Sequence, residues 1–162
     1  MQENEIVFLD SGVGGISTLA EAQKLLPSEN FIYYADAANA PYGDKELPIV
    51  CELTKKAADF LLGYKPKALV IACNTATAAA VADLRALYSL PIVGLEPALK
   101  PALKQEGKLL ILGTALTVQA DKLHNLLNRY AENRQVIILS GSGLVELIEE
   151  DLYSPKVERY LK

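Results

Sequence analysis

The sequence predicts an α/β fold: parallel sheets sandwiched by helices on both faces. Three observations carry that expectation. Short apolar runs rich in β-branched residues alternate with helical patterns along the whole chain. Several runs stop abruptly at small, hydroxyl or thiol side chains where a helical pattern opens, as buried parallel strands do at their carboxyl ends. Pro27, Pro41, Pro66 and Pro91 fall at element ends, where a missing N–H is tolerated.

Taken in order, the first strand is expected at about 5–9, ending in Asp10-Ser11-Gly12-Val13-Gly14-Gly15, with a helix over about 14–26. A second strand at about 31–35 runs into a long loop containing Pro41-Tyr42-Gly43, followed by a helix over about 46–63. The third, at about 68–72, delivers Cys73-Asn74-Thr75-Ala76-Thr77 to an Ala-rich helix over about 76–89. Further strands fall at about 91–95, 108–112 and 135–139, with helices at about 97–106, 115–132 and 143–150. A last helical start, Val157 to Leu161 after Ser154-Pro155, is little more than one turn, a length that is marginal in isolation.

Val70 to Thr77 and Leu110 to Thr117 share a pattern: a strand, a small or polar residue, then hydroxyls opening a helix. Two related sheet units are therefore expected, with Glu96 to Pro101 as the crossover. Residues 1–96 would form a first lobe and 97–162 the first part of a second, similar one.

With 162 residues the chain fits one domain or one and a part; 51% hydrophobic content suffices for a core, and 22% charged is ordinary for a globular protein. A net charge of −4 argues against nucleic acid as the partner. No apolar run reaches the roughly 18 residues of a membrane span. The acidic opening, Met1 to Glu5, leads straight into a strand and is not expected to be a signal peptide. Two cysteines, Cys51 and Cys73, make no disulfide framework and lack metal-ligand spacing, so no metal is expected and a reducing cytoplasm fits best. His124, between Lys122 and Asn125, reads as a solvated surface residue, and Cys51 as a small core residue.

Cys73 stands at a strand end beside a helix start, where ligands collect in open α/β sheets and where a thiolate is favoured. The alternative is a buried structural cysteine next to an ordinary N-cap at Asn74 or Thr75. The three glycines after Asp10 allow close backbone approach and aim N–H groups at an anion. They do not spell the dinucleotide fingerprint, since Ser17 occupies the third required position, and no P-loop lysine follows. A small carboxylate is the better ligand, with Asp10 suited to an ammonium group or to handling a proton, or else serving as a simple cap. The Pro-Tyr-Gly loop either binds a ligand or is a surface turn.

Together, Asp-Ser-Gly-Val-Gly-Gly, Pro-Tyr-Gly and Ala-Cys-Asn-Thr-Ala-Thr, in this order and spacing, closely resemble the glutamate racemases of the aspartate/glutamate racemase superfamily. The resemblance extends from Ile6 to about Glu150 and includes Gly94-Leu95-Glu96-Pro97 and Gly113-Thr114-Ala115-Leu116-Thr117. It implies an isomerase that interconverts L- and D-glutamate without a cofactor or metal, working in the cytoplasm as a homodimer and supplying D-glutamate for peptidoglycan. It also implies two cysteines on opposite faces of the substrate α-carbon, Cys73 being one, with Asp10 assisting its proton exchange. Asp10, Ser11, Tyr42, Gly43, Asn74, Thr75, Thr114 and Thr117 match the substrate-binding positions. The family's second motif, Cys-Thr-His, has no counterpart in these residues, and Ala37 and Asn39 replace a common threonine and arginine. The chain thus corresponds to roughly the first three-fifths of a racemase, whose remaining elements complete the first lobe, and impaired turnover is expected. Two other readings remain open: an aspartate racemase-like enzyme, and a non-catalytic module that binds an amino acid.

Overall fold

The computed structural model describes residues 4–131 and 134–162 and divides into two compact units, one ending at Glu96 and the other running from Pro97 to Lys162. Residues 1–3, at the acidic opening, and position 132, the expected end of one helix, lie outside the described residues.

The first unit is a four-stranded parallel sheet in the order β2-β1-β3-β4, formed by β1 (Ile6–Asp10), β2 (Phe31–Ala35), β3 (Ala68–Ile71) and β4 (Ile92–Gly94). Central β1 buries successive residues Val7, Phe8, Leu9 and Asp10, so both faces of the sheet are covered there. The intervening helices are α1 (Ile16–Leu25), α2 (Leu47–Leu62) and α3 (Asn74–Leu87). Helix α2 buries Val50, Thr54, Ala57, Ala58 and Leu61, the spacing of one helical face. The buried face of α3 is mostly small, with Ala76, Thr77 and Ala80 before Val81 and Leu84, which lets α2 and α3 pack side by side. Buried Thr77 ties β3 to the chain after β4: its hydroxyl donates to the Ile71 carbonyl (3.2 Å) and accepts from Leu95 N–H (3.1 Å). Cys51 departs from expectation. It lies half-buried on the flank of α2, its thiol 3.6 Å from the Asp83 carboxylate, because the five buried positions of α2 fall on another face.

The second unit holds a two-stranded parallel sheet of β5 (Leu109–Gly113) and β6 (Val136–Ser140) with helices α4 (Leu99–Ala102), α5 (Ala115–Gln119), α6 (Asp121–Tyr130), α7 (Leu144–Asp151) and α8 (Pro155–Leu161). Its core gathers Leu99, Val118 and Leu123 against Leu109, Ile111 and Ile138. The other face of this sheet turns Leu110, Leu112, Ile137 and Leu139 to solvent. The single helix expected over 115–132 is broken at Ala120, which is extended (φ −65°, ψ 130°). Val118 and Leu123, five residues apart, would point about 140° apart on one continuous helix; the break lets both enter the same core. The helix expected over 97–106 shortens to the turn that buries Leu99.

Candidate active site

Strand register brings the chemistry together. Leu9 pairs with Ile71, and Ala72 N–H donates to the Leu9 carbonyl (2.8 Å), so two residues onward Ser11 comes beside Cys73. Its hydroxyl lies 3.5 Å from the thiol sulfur. On the other side Asp10 pairs with Ala35, and Asp36 N–H donates to the Asp10 carbonyl (2.9 Å), which sets the second loop next to the first. The carboxyl ends of three adjacent strands thus carry Asp10-Ser11, Asp36 and Cys73.

Cys73 is itself the N-cap of α3. Its backbone is extended and its sulfur accepts from Ala76 N–H at 3.4 Å, so the helix opens at Asn74 rather than at the expected 76. Neither Asn74 nor Thr75 is the cap. Asn74 is exposed on the first turn and Thr75 is buried behind it. The expected ease of forming a thiolate does not hold. Burial pushes the Cys73 thiol above its ordinary range; the Ser11 hydroxyl and the Ala76 N–H oppose this, while the Asp10 charge adds to it. Desolvation of a residue only 8% exposed outweighs these donors and the Thr75 N–H that adds to them.

Asp10 is buried, and its carboxylate gathers three donors. Oδ1 accepts from Ser11 N–H (2.9 Å); Oδ2 accepts from Gly15 N–H (2.6 Å) and from the Tyr33 hydroxyl (3.0 Å). It therefore ties down the glycine loop as well as standing near the thiol. Gly15 is required by space: a Cβ there would meet the Ala72 Cβ at 2.6 Å. Sequence reasoning missed Tyr33, whose signal was weak because it lies inside a strand that reads as apolar.

In the Pro-Tyr-Gly loop both Tyr42 and Gly43 are buried. The Tyr42 hydroxyl donates to Asp36 Oδ2 (2.6 Å), and the Asn39 amide donates to both Asp36 oxygens (2.9 and 3.0 Å). Burial, then the bond to Asp36, holds the Tyr42 hydroxyl proton on well beyond the usual phenol range. The Tyr42 side chain is thus engaged inside the protein. Asp36 was also missed, although its position directly after a strand is the signal that singled out Asp10.

Thr114 and Thr117 form a cluster of their own within the second unit. Thr114 caps α5, its Oγ1 accepting from Thr117 N–H (3.3 Å) and donating to the Thr117 hydroxyl (3.0 Å). The similarity between the two units is thereby offset by one residue, since Cys73 matches Gly113 in sequence while the caps are Cys73 and Thr114. His124 is exposed on α6. No group of three or more His, Cys, Asp or Glu side chains suited to a metal occurs among the described residues, and none of their helices is long and apolar enough to cross a membrane.

Residues 20–162 match the family model described as Asp/Glu/Hydantoin racemase. The chain belongs to that family. It is 50% identical to glutamate racemase of Clostridium botulinum (strain Kyoto / Type A2) over 165 aligned residues, covering 100% of this chain and 64% of that protein. The Clostridium kluyveri glutamate racemase is also 50% identical, over 99% of this chain and 64% of its own length. The chain thus spans 64% of the length of these curated relatives. Among solved structures, glutamate racemase isoform RacE1 of Bacillus anthracis superposes with a TM-score of 0.86 at 31% identity, covering 99% of this chain and 62% of that one. The Escherichia coli glutamate racemase, solved with L-glutamate and the activator UDP-MurNAc-Ala, gives 0.86 at 33% identity, over 98% of this chain and 63% of its own. These superpositions bear out the α/β, parallel-sheet expectation for this part of a two-domain racemase fold.

Proposed function

We propose that this protein is the thiol-bearing part of a cofactor-independent glutamate racemase that supplies D-glutamate for peptidoglycan in the cytoplasm. The observation that carries the reading is the Cys73 thiol, set at a helix start beside Ser11 and the Asp10 loop, in a chain 50% identical to glutamate racemases. As thiolate, Cys73 would take the α-proton of one enantiomer, leaving a carbanion whose charge is delocalised into the substrate carboxylate. Main-chain N–H groups of the glycine loop and the first turn of α3, with Ser11, Asn74 and Thr75, would hold the substrate's polar groups and stabilise that charge. Tyr42 and Gly43 would contribute through their backbone. A thiol with a raised pKa is a scarcer but stronger base, suited to so weak a carbon acid. Assembly as a homodimer belongs to the same proposal.

Inversion needs a second acid on the opposite face. The sequence has one other cysteine, Cys51, which sits on the flank of α2 beside Asp83. That observation supports a second reading, an amino-acid-binding unit without turnover. α-Hydrogen exchange in deuterated water, followed with polarimetry on the same sample, separates the two. We expect slow exchange of one glutamate enantiomer by the 162-residue chain, lost in Cys73→Ser, with scarcely any change in rotation. Glutamate binding with no exchange at any pH would favour the binding unit. Rapid inversion abolished by Cys73→Ser would refute the single-thiol argument, and aspartate exchanging faster than glutamate would reassign the substrate.

A further inference from the structure

The Tyr33 hydroxyl is directed at the site from inside β2. It lies 3.0 Å from Asp10 Oδ2 and 2.8 Å from the Gly12 carbonyl, and so reaches the carboxylate and the glycine loop together. Asp10 in turn holds Ser11 N–H and Gly15 N–H, and Ser11 faces the Cys73 sulfur. From Tyr33 to the thiol there is a continuous path of hydrogen bonds within one sheet unit. We propose that Tyr33 is a positioning residue for Cys73, setting the thiol's reactivity by pinning the Asp10 carboxylate and the loop that carries Ser11.

Two effects follow from removing the hydroxyl, and they act in the same direction. Without that donor the Asp10 charge is less neutralised, so it opposes thiolate formation at Cys73 more strongly. With Gly12 and Asp10 both released, Ser11 is less firmly held against the sulfur, and a hydrogen bond that favours the thiolate weakens. Burial of Tyr33, with the Asp10 charge beside it, keeps its proton on the oxygen far into the alkaline range, so the hydroxyl remains a donor wherever the thiol titrates. Neither effect requires Tyr33 to touch a substrate.

The inference rests on the assignment of Cys73 as the reacting thiol, and alkylation tests it without requiring turnover. Iodoacetamide labelling of Cys73, followed by peptide mass spectrometry from pH 7 to 11 in the full chain, gives its rate profile. Tyr33→Phe should label roughly threefold more slowly than wild type at pH values below the midpoint, with the midpoint moved upward. Asp10→Asn alone should move the midpoint down. In that background Tyr33→Phe should slow labelling distinctly less, since the charge it acts through is gone and only its bond to the Gly12 carbonyl is left to lose. Superimposable wild-type and Tyr33→Phe profiles would overturn the proposal, as would a Tyr33→Phe effect of full size in Asp10→Asn. Cooperative thermal unfolding checks that each variant folds. If Tyr33→Phe does not, 3-fluorotyrosine at position 33 keeps the ring and strengthens the donor, and should speed labelling; no change there also overturns it. Protection of Cys73 by glutamate reports separately on the racemase reading, so loss of protection with the Tyr33 effect intact would reject that reading and leave the positioning role standing.

Discussion

At Cys73 two opposing tendencies of a helix start meet. The N-cap position offers N–H groups that favour a thiolate, and burial removes the water that would solvate one. Burial wins, with Asp10 on the same side of the balance. Iodoacetamide should therefore label Cys73 more slowly than Cys51 at pH 8, and peptide mapping across pH should show the Cys73 midpoint above the ordinary thiol range; faster labelling of Cys73 at pH 8 would reverse this account. Stability follows by linkage. A thiol whose folded pKa is raised keeps its proton longer in the native state, so the native chain binds more protons between the unfolded and folded values. The stabilisation is complete below the unfolded thiol pKa and is lost as pH rises through the folded one. Tyr33 and Tyr42, both raised by burial, extend the loss to higher pH. Urea unfolding midpoints should fall progressively above about pH 9, and Cys73→Ala should flatten the first part of that fall. Cys73, Asp10 and Ser11 were legible in the sequence because a polar residue closing an apolar run is a visible break in pattern. Tyr33 was not, since a tyrosine fits a strand equally well whether its hydroxyl meets solvent or a buried carboxylate.

Among the elements, the loop from Asp36 to Gly43 shows how a binding loop is held rigid. One buried carboxylate accepts from the Tyr42 hydroxyl and from the Asn39 amide, and its own N–H is fixed to Asp10. Asp36→Ala strands a buried phenol without its acceptor, at a cost of about 1–3 kcal/mol. Denaturant unfolding should show that loss, and limited proteolysis should cut within 36–45 more readily than in wild type. Gly15→Ala tests the neighbouring loop. Its Cβ would collide with Ala72 and crowd Asp10 Oδ2 (3.1 Å) and the Tyr33 hydroxyl (3.1 Å), so we expect about 1–3 kcal/mol of destabilisation in the same measurement. Strands were legible nearly to the residue because each is a compact apolar run. Helix ends were less so. The break at Ala120 comes from the need to bring Val118 and Leu123 into one core, and nothing in the local pattern from 115 to 130 announces it.

For the molecule as a whole, the two units differ in how completely their sheets are covered. In the first, β1 is buried on both faces. In the second, the strands alternate between half-buried and exposed, and the outward residues Leu110 (58% exposed), Leu112 (48%), Ile137 (44%) and Leu139 (49%) make a continuous apolar face across β5 and β6. The register sets Leu110 against Ile137 and Leu112 against Leu139, so the four side chains are contiguous. A face of this kind favours association, because burying it removes apolar surface from water at about 25 cal/mol per Å². We expect the 162-residue chain to self-associate in sedimentation velocity, its mean sedimentation coefficient rising with concentration. Leu112→Lys and Ile137→Lys place charges on the outward face while leaving Leu109, Ile111 and Ile138 in the core, and should shift the distribution toward monomer with little change in unfolding midpoint. A chain that sediments as a monomer at every concentration, or lysine variants that associate as strongly as wild type, would show that this face does not drive association.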